Sequence, residues 1–151
     1  MAEGEKTHHF EVRVAWDGDA TGSGEVRVND GAFPVPIAGA TSLGGAGVAA
    51  NPEELLLAAL GSCFINTWAI FLKKLAVGYG EPTLRVSGEL GPDPAGGFRM
   101  QSAVVHARVP ASLMSAGRPQ IEKTLQLAEK YCIVSKVVRA SMSLAVQVEE
   151  V

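Results

Sequence analysis

The chain has little of what would place it in several large classes. Its 151 residues include only two cysteines, Cys63 and Cys132. Two thiols cannot staple a small secreted scaffold; they are inert core side chains, metal ligands or a catalytic pair. Neither sign of charge dominates, since 13 basic residues face 16 acidic ones and the net charge is −3. Without a positive excess, no nucleic-acid partner is expected. The histidines His8, His9 and His106 have no metal-ligand spacing to either cysteine, so no metal is expected. Gly22-Ser23-Gly24 is too short for a phosphate loop and precedes a strand rather than a helix. Met1 to Phe10 is polar and has no apolar h-region, so no secretory leader is expected and the expected location is cytoplasmic. No repeat and no second domain break the chain, which reads as one domain over residues 1–151.

Hydrophobic residues, at 47%, are plentiful enough for a packed core. The longest apolar run is Leu55 to Leu72, uncharged and followed by Lys73 and Lys74. Its length is at the lower limit for a membrane span. Gly61, Ser62, Asn66 and Thr67 interrupt it, and strand-like segments flank it on both sides. A helix apolar nearly all round is more simply one buried in a core or a subunit interface, so no membrane partner is expected.

Around that helix the pattern has period two. Phe10, Val12, Val14 and Trp16 alternate with Glu11, Arg13 and Ala15, as in a half-buried strand. Glu25 to Val28 and Phe33 to Ile37 read as short strands joined by the hairpin turn Asn29-Asp30-Gly31. Pro34 and Pro36 push the second of them to a sheet edge. Asn51 is a helix cap, Pro52 suits a first turn, and Glu53 and Glu54 complement the positive end of the dipole. That helix should run to about Leu75, with Gly78 as its stop. Strands are expected at Thr83 to Leu90 and at Phe98 to Val109, the latter with a bulge because its apolar phase changes. A second helix is expected from Arg118 to Tyr131, a short helical turn around Ser135 to Arg139, and a last strand carrying Met142, Leu144, Val146 and Val148 on one face. The order predicts an α+β fold with a largely antiparallel sheet, a long central helix and a second helix.

A cysteine in an apolar helix is usually a small core hydrophobe. The surroundings of these two change that reading. Leu43-Gly44-Gly45-Ala46-Gly47, then Asn51-Pro52-Glu53-Glu54-Leu55, Ala58-Ala59 and Cys63-Phe64 form a first block, and Cys132-Ile133-Val134-Ser135-Lys136 a second. Together they resemble the OsmC/Ohr family of osmotically inducible and organic hydroperoxide resistance proteins. Trp16, Gly18-Asp19 and Gly22-Ser23-Gly24 resemble the OsmC branch more than the Ohr branch. The resemblance covers almost the whole chain.

It implies an intertwined dimer and a thiol-dependent peroxidase that reduces organic hydroperoxides to alcohols, in oxidative or osmotic stress defence. In that reading a Cys63 thiolate attacks the O–O bond and becomes a sulfenic acid, Cys132 closes a disulfide, and a dithiol such as a lipoyl protein restores both thiols. No cofactor is implied. The family's activating arginine is held by a glutamate that corresponds to Glu53. Ten helical residues separate Glu53 from Cys63, a rise of about 15 Å, so the two cannot meet within one chain. The resemblance resolves this by placing the site at the dimer interface, where Glu53 of the partner subunit faces Cys63.

Leu60, Phe64, Trp68 and Phe71 lie near Cys63 on the helix, and Phe98 and Met100 join them as an expected apolar lining that favours bulky organic peroxides. The chain departs from the family in one respect: it has no arginine between Arg27 and Arg85. Lys136 and Arg139 are the candidate substitutes. Failing them, a slower peroxidase is expected, with a rate that rises between about pH 7 and pH 9, because a thiol without a cation ionises near about 8.5. The rival readings are a redox sensor using the same two cysteines and a non-catalytic protein that binds an apolar ligand.

Overall fold

A computed structural model describes residues 6–151. Residues 1–5, the start of the polar opening stretch, lie outside the described residues. The described chain forms two compact units, one up to residue 55 and one from residue 56 onward.

In the first unit, β1 (Arg13–Asp17), β2 (Ser23–Val28) and β3 (Phe33–Ala38) form an antiparallel sheet in that order. The hairpin between β2 and β3 turns where expected: Asn29, Asp30 and Gly31 all have positive φ, and the Ala32 N–H donates to the Asn29 carbonyl at 3.1 Å. Asn, Asp and Gly tolerate that region of backbone space at the least cost. Pro34 and Pro36 lie on β3, an edge strand of this sheet. One expectation fails. β1 is not half-buried; all five of its residues are exposed, and Val14 and Trp16 keep 63% and 46% of their surfaces. Alternation marks which face seeks a partner, but a three-stranded sheet contains no layer of its own to supply one.

The helix α1 (Pro52–Lys74) starts as its sequence dictates. The Glu54 N–H donates to Asn51 Oδ1 at 2.8 Å, and the Asn51 N–H donates to Glu54 Oε2 at 3.2 Å. This reciprocal box satisfies two amide donors that a helix start otherwise leaves unpaired. The end differs from expectation. Gly78 does not cap it. Ala76 takes the left-handed conformation, with φ +53°, while its N–H donates to Lys73 and that of Val77 to Leu72. That is the Schellman pattern with alanine where glycine is usual. Ala76→Gly is therefore expected to stabilise the protein by about 0.5–1 kcal/mol, since the strain relieved exceeds the added entropy of the unfolded chain. A urea melt checks it; a lower midpoint for the variant would contradict the strain argument.

In the second unit, β4 (Thr83–Pro92), β5 (Phe98–Val109) and β6 (Ser143–Glu150) form a sheet in chain order. β4 and β5 are antiparallel, and the expected bulge falls between the pairs Glu89–Ser102 and Leu90–Met100, leaving Gln101 over. β6 runs parallel to β5, which requires a crossover. Two helices make it: α2 (Ala111–Tyr131) and α3 (Ile133–Ser141). Three of the four strand pairings are thus antiparallel, but the strands divide between two sheets. α2 begins seven residues before the expected Arg118. Gly117 interrupts it with the non-helical values φ −158° and ψ 36°, and Pro119 follows, so a helical segment does begin at the expected Arg118, and what was not expected is the segment from Ala111 before it.

The core joins one stripe of α1 to β5 and the crossover helices. Leu60, Phe64, Trp68 and Leu72, four apart, pack in one cluster with Ala103, Val105, Ala107 and Val109 of β5 and with Ile121, Leu125 and Ala128 of α2. α1 is long and apolar enough to cross a membrane by length and composition. Its buried stripe is instead part of the core of this unit.

Candidate thiol site

Cys63 lies midway along α1, three residues after the buried Leu60 and one before the buried Phe64. It is therefore at the margin of the core stripe, half-buried, and packs against the core cluster. Cys132 belongs to that cluster and has no exposed surface. It fills the single position between α2 and α3, as C-cap of the first and N-cap of the second. Both cysteines are free thiols. The Cys63 thiol is near enough to act on that of Cys132, so the 68 residues between them return to bring the sulfurs together.

The electrostatics of Cys132 come from three sources. Burial is the largest and pushes its thiol above the ordinary range. The hydroxyl and N–H of Ser135 oppose it, the N–H donating to Cys132 Sγ at 3.4 Å. Cys63 adds to the upward shift. Because the folded thiol holds its proton more tightly than the unfolded one, the resulting stability is full below the ordinary cysteine value and falls as pH rises through it. Wild-type stability should therefore decline above about pH 8.5–9 more steeply than that of Cys132→Ala. Urea melts from pH 7 to 10 test this, and parallel curves would refute it.

The expected lining does not form one surface. Leu60, Phe64 and Trp68 have no exposed area and belong to the core. The Trp68 N–H donates to Thr124 Oγ1 at 2.9 Å, and its ring meets Tyr79 edge-on at 5.4 Å. Phe98 is 66% exposed at the start of β5, whereas Met100 is half-buried. Both expected substitutes for the missing arginine lie in α3. Arg139 is held by the Glu129 carboxylate at 2.9 Å, and the Lys136 side chain is exposed. No cation contributes to the shift at Cys132. Glu53 stands in the first turn of α1, with Oε2 shut from solvent and without a hydrogen-bond donor. Among the described residues no cluster of three or more metal-ligating side chains occurs.

Ser135 is the member of this site that the sequence reading did not single out. It is fully buried beside Cys132, and its hydroxyl has no hydrogen-bond partner. The signal was present as a Cys-x-x-Ser spacing, which at a helix start is that of a capping residue and the amide it caps.

Comparison with known proteins adds to this geometry. The OsmC-like protein family matches residues 44–147. An organic hydroperoxide resistance protein-like 2 of Staphylococcus saprophyticus is 30% identical over 141 residues, covering 92% of this chain and 94% of that protein. Among solved structures, an organic hydroperoxide resistance protein OsmC from Legionella pneumophila superposes with a TM-score of 0.76 at 21% identity, covering 96% of this chain and all of that one. An OsmC-like protein from Mycoplasma pneumoniae gives a TM-score of 0.79 at 15% identity, covering 97% and 99%.

Proposed function

The chain belongs to the OsmC-like family, and from that premise we propose that it is a thiol peroxidase that reduces organic hydroperoxides through Cys63 and Cys132. The observation that carries this reading is the pairing of an accessible thiol with a buried one. Cys63 is the sulfur a peroxide can reach. Its thiolate attacks the O–O bond, the alcohol leaves with the other oxygen, and the sulfur becomes a sulfenic acid. Cys132 then attacks that sulfur and water leaves, closing a disulfide. A dithiol reductant, such as a lipoyl protein, takes up the two oxidising equivalents. The location proposed is the cytoplasm, where reduced thiols persist.

The working unit is a homodimer. Val14, Trp16 and Phe33 of the first sheet are 63%, 46% and 59% exposed, and Ile70 of α1 is 46% exposed. These are large apolar side chains for a partner to cover. A second copy covers them, and Glu53, whose buried oxygen lacks a donor, is its contribution to the thiol site. Sedimentation at low micromolar concentration should show a dimer, and a persistent monomer would remove the cross-subunit part of the reading.

One observation favours a slower enzyme or a redox sensor: Arg139, a candidate activating cation, is already paired with Glu129. A steady-state assay with cumene hydroperoxide and a dithiol separates the two. Turnover that saturates with peroxide supports the enzyme, whereas a single oxidation without recycling supports the sensor.

A further inference from the structure

Ser135 has no part in the cycle as described, yet it is buried completely, its N–H donates to Cys132 Sγ at 3.4 Å, and its hydroxyl has no hydrogen-bond partner. A polar side chain with no exposed surface is costly unless it is used. Its hydroxyl makes no hydrogen bond beside the neutral thiol, and a thiol sulfur is a weak acceptor. A thiolate is a strong one. Burial disfavours a charged Cys132, and Ser135 is the residue that opposes it, through an N–H already at the sulfur and a hydroxyl left for a stronger acceptor. Cys132 also stands at the start of α3, where the helix dipole favours negative charge.

Cys132 carries that charge at one moment of the cycle. When the disulfide is reduced, one sulfur receives the incoming thiol and the other departs as a thiolate. Access decides which: Cys63 is half-buried, whereas Cys132 has no exposed surface. We propose that Ser135 is a positioning residue for the reductive half-reaction, stabilising Cys132 as the leaving thiolate so that the reductant bonds to Cys63. The incoming thiolate forms a bond to Cys63 Sγ, and the S–S electron pair departs on Cys132 Sγ, which then takes a proton from solvent. The second thiol of the reductant attacks the first reductant sulfur, freeing Cys63 as a thiolate and leaving the reductant as its disulfide. This inference rests on the disulfide cycle above but not on the identity of the oxidant.

The experiment therefore closes the bond with diamide rather than a peroxide. Oxidised protein is mixed with 2-mercaptoethanol, quenched in acid and alkylated, and the mixed disulfide is located by peptide mass. The adduct is expected on Cys63, with Cys132 alkylated. In Ser135→Ala, reduction of the diamide-formed disulfide should slow about tenfold, while oxidation of Cys63 in a single turnover is unchanged. Ser135→Thr, which keeps the hydroxyl, should recover most of the rate. An adduct on Cys132, or an unchanged reduction rate in Ser135→Ala, overturns the proposal. Failure of diamide to close the bond overturns the proposal and the disulfide cycle together. Failure of peroxide alone, with diamide succeeding, overturns only the peroxidase reading.

Discussion

Cys63→Ser is expected to lower hydroperoxide turnover by roughly three orders of magnitude or more, because a serine hydroxyl is neither ionised nor nucleophilic at neutral pH. The thermal midpoint should change little, since Cys63 is only half-buried and serine is close to it in size. The two cysteines should fail differently. Cys132→Ser keeps the attacking sulfur, so peroxide treatment should leave a sulfenic acid on Cys63 that dimedone labels. Cys63→Ser should leave Cys132 unreacted, because Cys132 has no surface for a peroxide to meet. Mass analysis after peroxide and dimedone gives the assignment directly. Label on Cys132 in the Cys63→Ser protein would invert the roles, and full turnover in that protein would sink the thiol mechanism.

The largest effect on stability should come from Trp68. Its side chain has no exposed surface, its ring packs edge-on against Tyr79, and its N–H donates to the buried Thr124 hydroxyl, which in turn donates to the Ile121 carbonyl at 2.7 Å. Trp68→Ala should cost about 3–5 kcal/mol, a large share of the roughly 5–15 kcal/mol that holds a typical domain together. Trp68→Phe keeps most of the volume and loses the donor, so it should cost less. A urea titration with circular dichroism measures both. This also decides between two roles for the residue. As a core member, Trp68→Phe should lower stability and leave the KM for cumene hydroperoxide unchanged. A raised KM at unchanged stability would return Trp68 to the substrate surface.

Most of the elements could be read from the chain because their signals are local. The capping box at Asn51 and Glu54 lies within four residues, as does the turn at Asn29-Asp30-Gly31. The bulge in β5 was visible as a change of apolar phase within one strand. The misreadings arose at helix ends. Gly117 and Pro119 do mark the start of a helical segment, but the segment from Ala111 that precedes them was missed. Gly78 offered a conventional stop, but the last turn of α1 closed two residues earlier on Ala76. There the Val77 N–H reaches the Leu72 carbonyl, and both side chains pack with the core. Packing therefore decided a cap that propensity alone assigns to glycine.

The thiol site divides along the same line. The residue blocks around Cys63 and Cys132 mark the chemistry, and composition removes most competing classes, because residue types and short spacings are properties of the chain itself. Which cysteine is accessible, and that Arg139 is occupied by Glu129, depend on helices meeting. So does the division of the apolar side chains, which sends Leu60, Phe64 and Trp68 into the core and leaves Phe98 at the surface. Sequence by itself determined the two sulfurs, the helix caps and the strand pattern, since each is set by neighbours within a few residues. Only the tertiary structure decided which sulfur is buried and which is half-buried, because burial comes from side chains tens of positions apart.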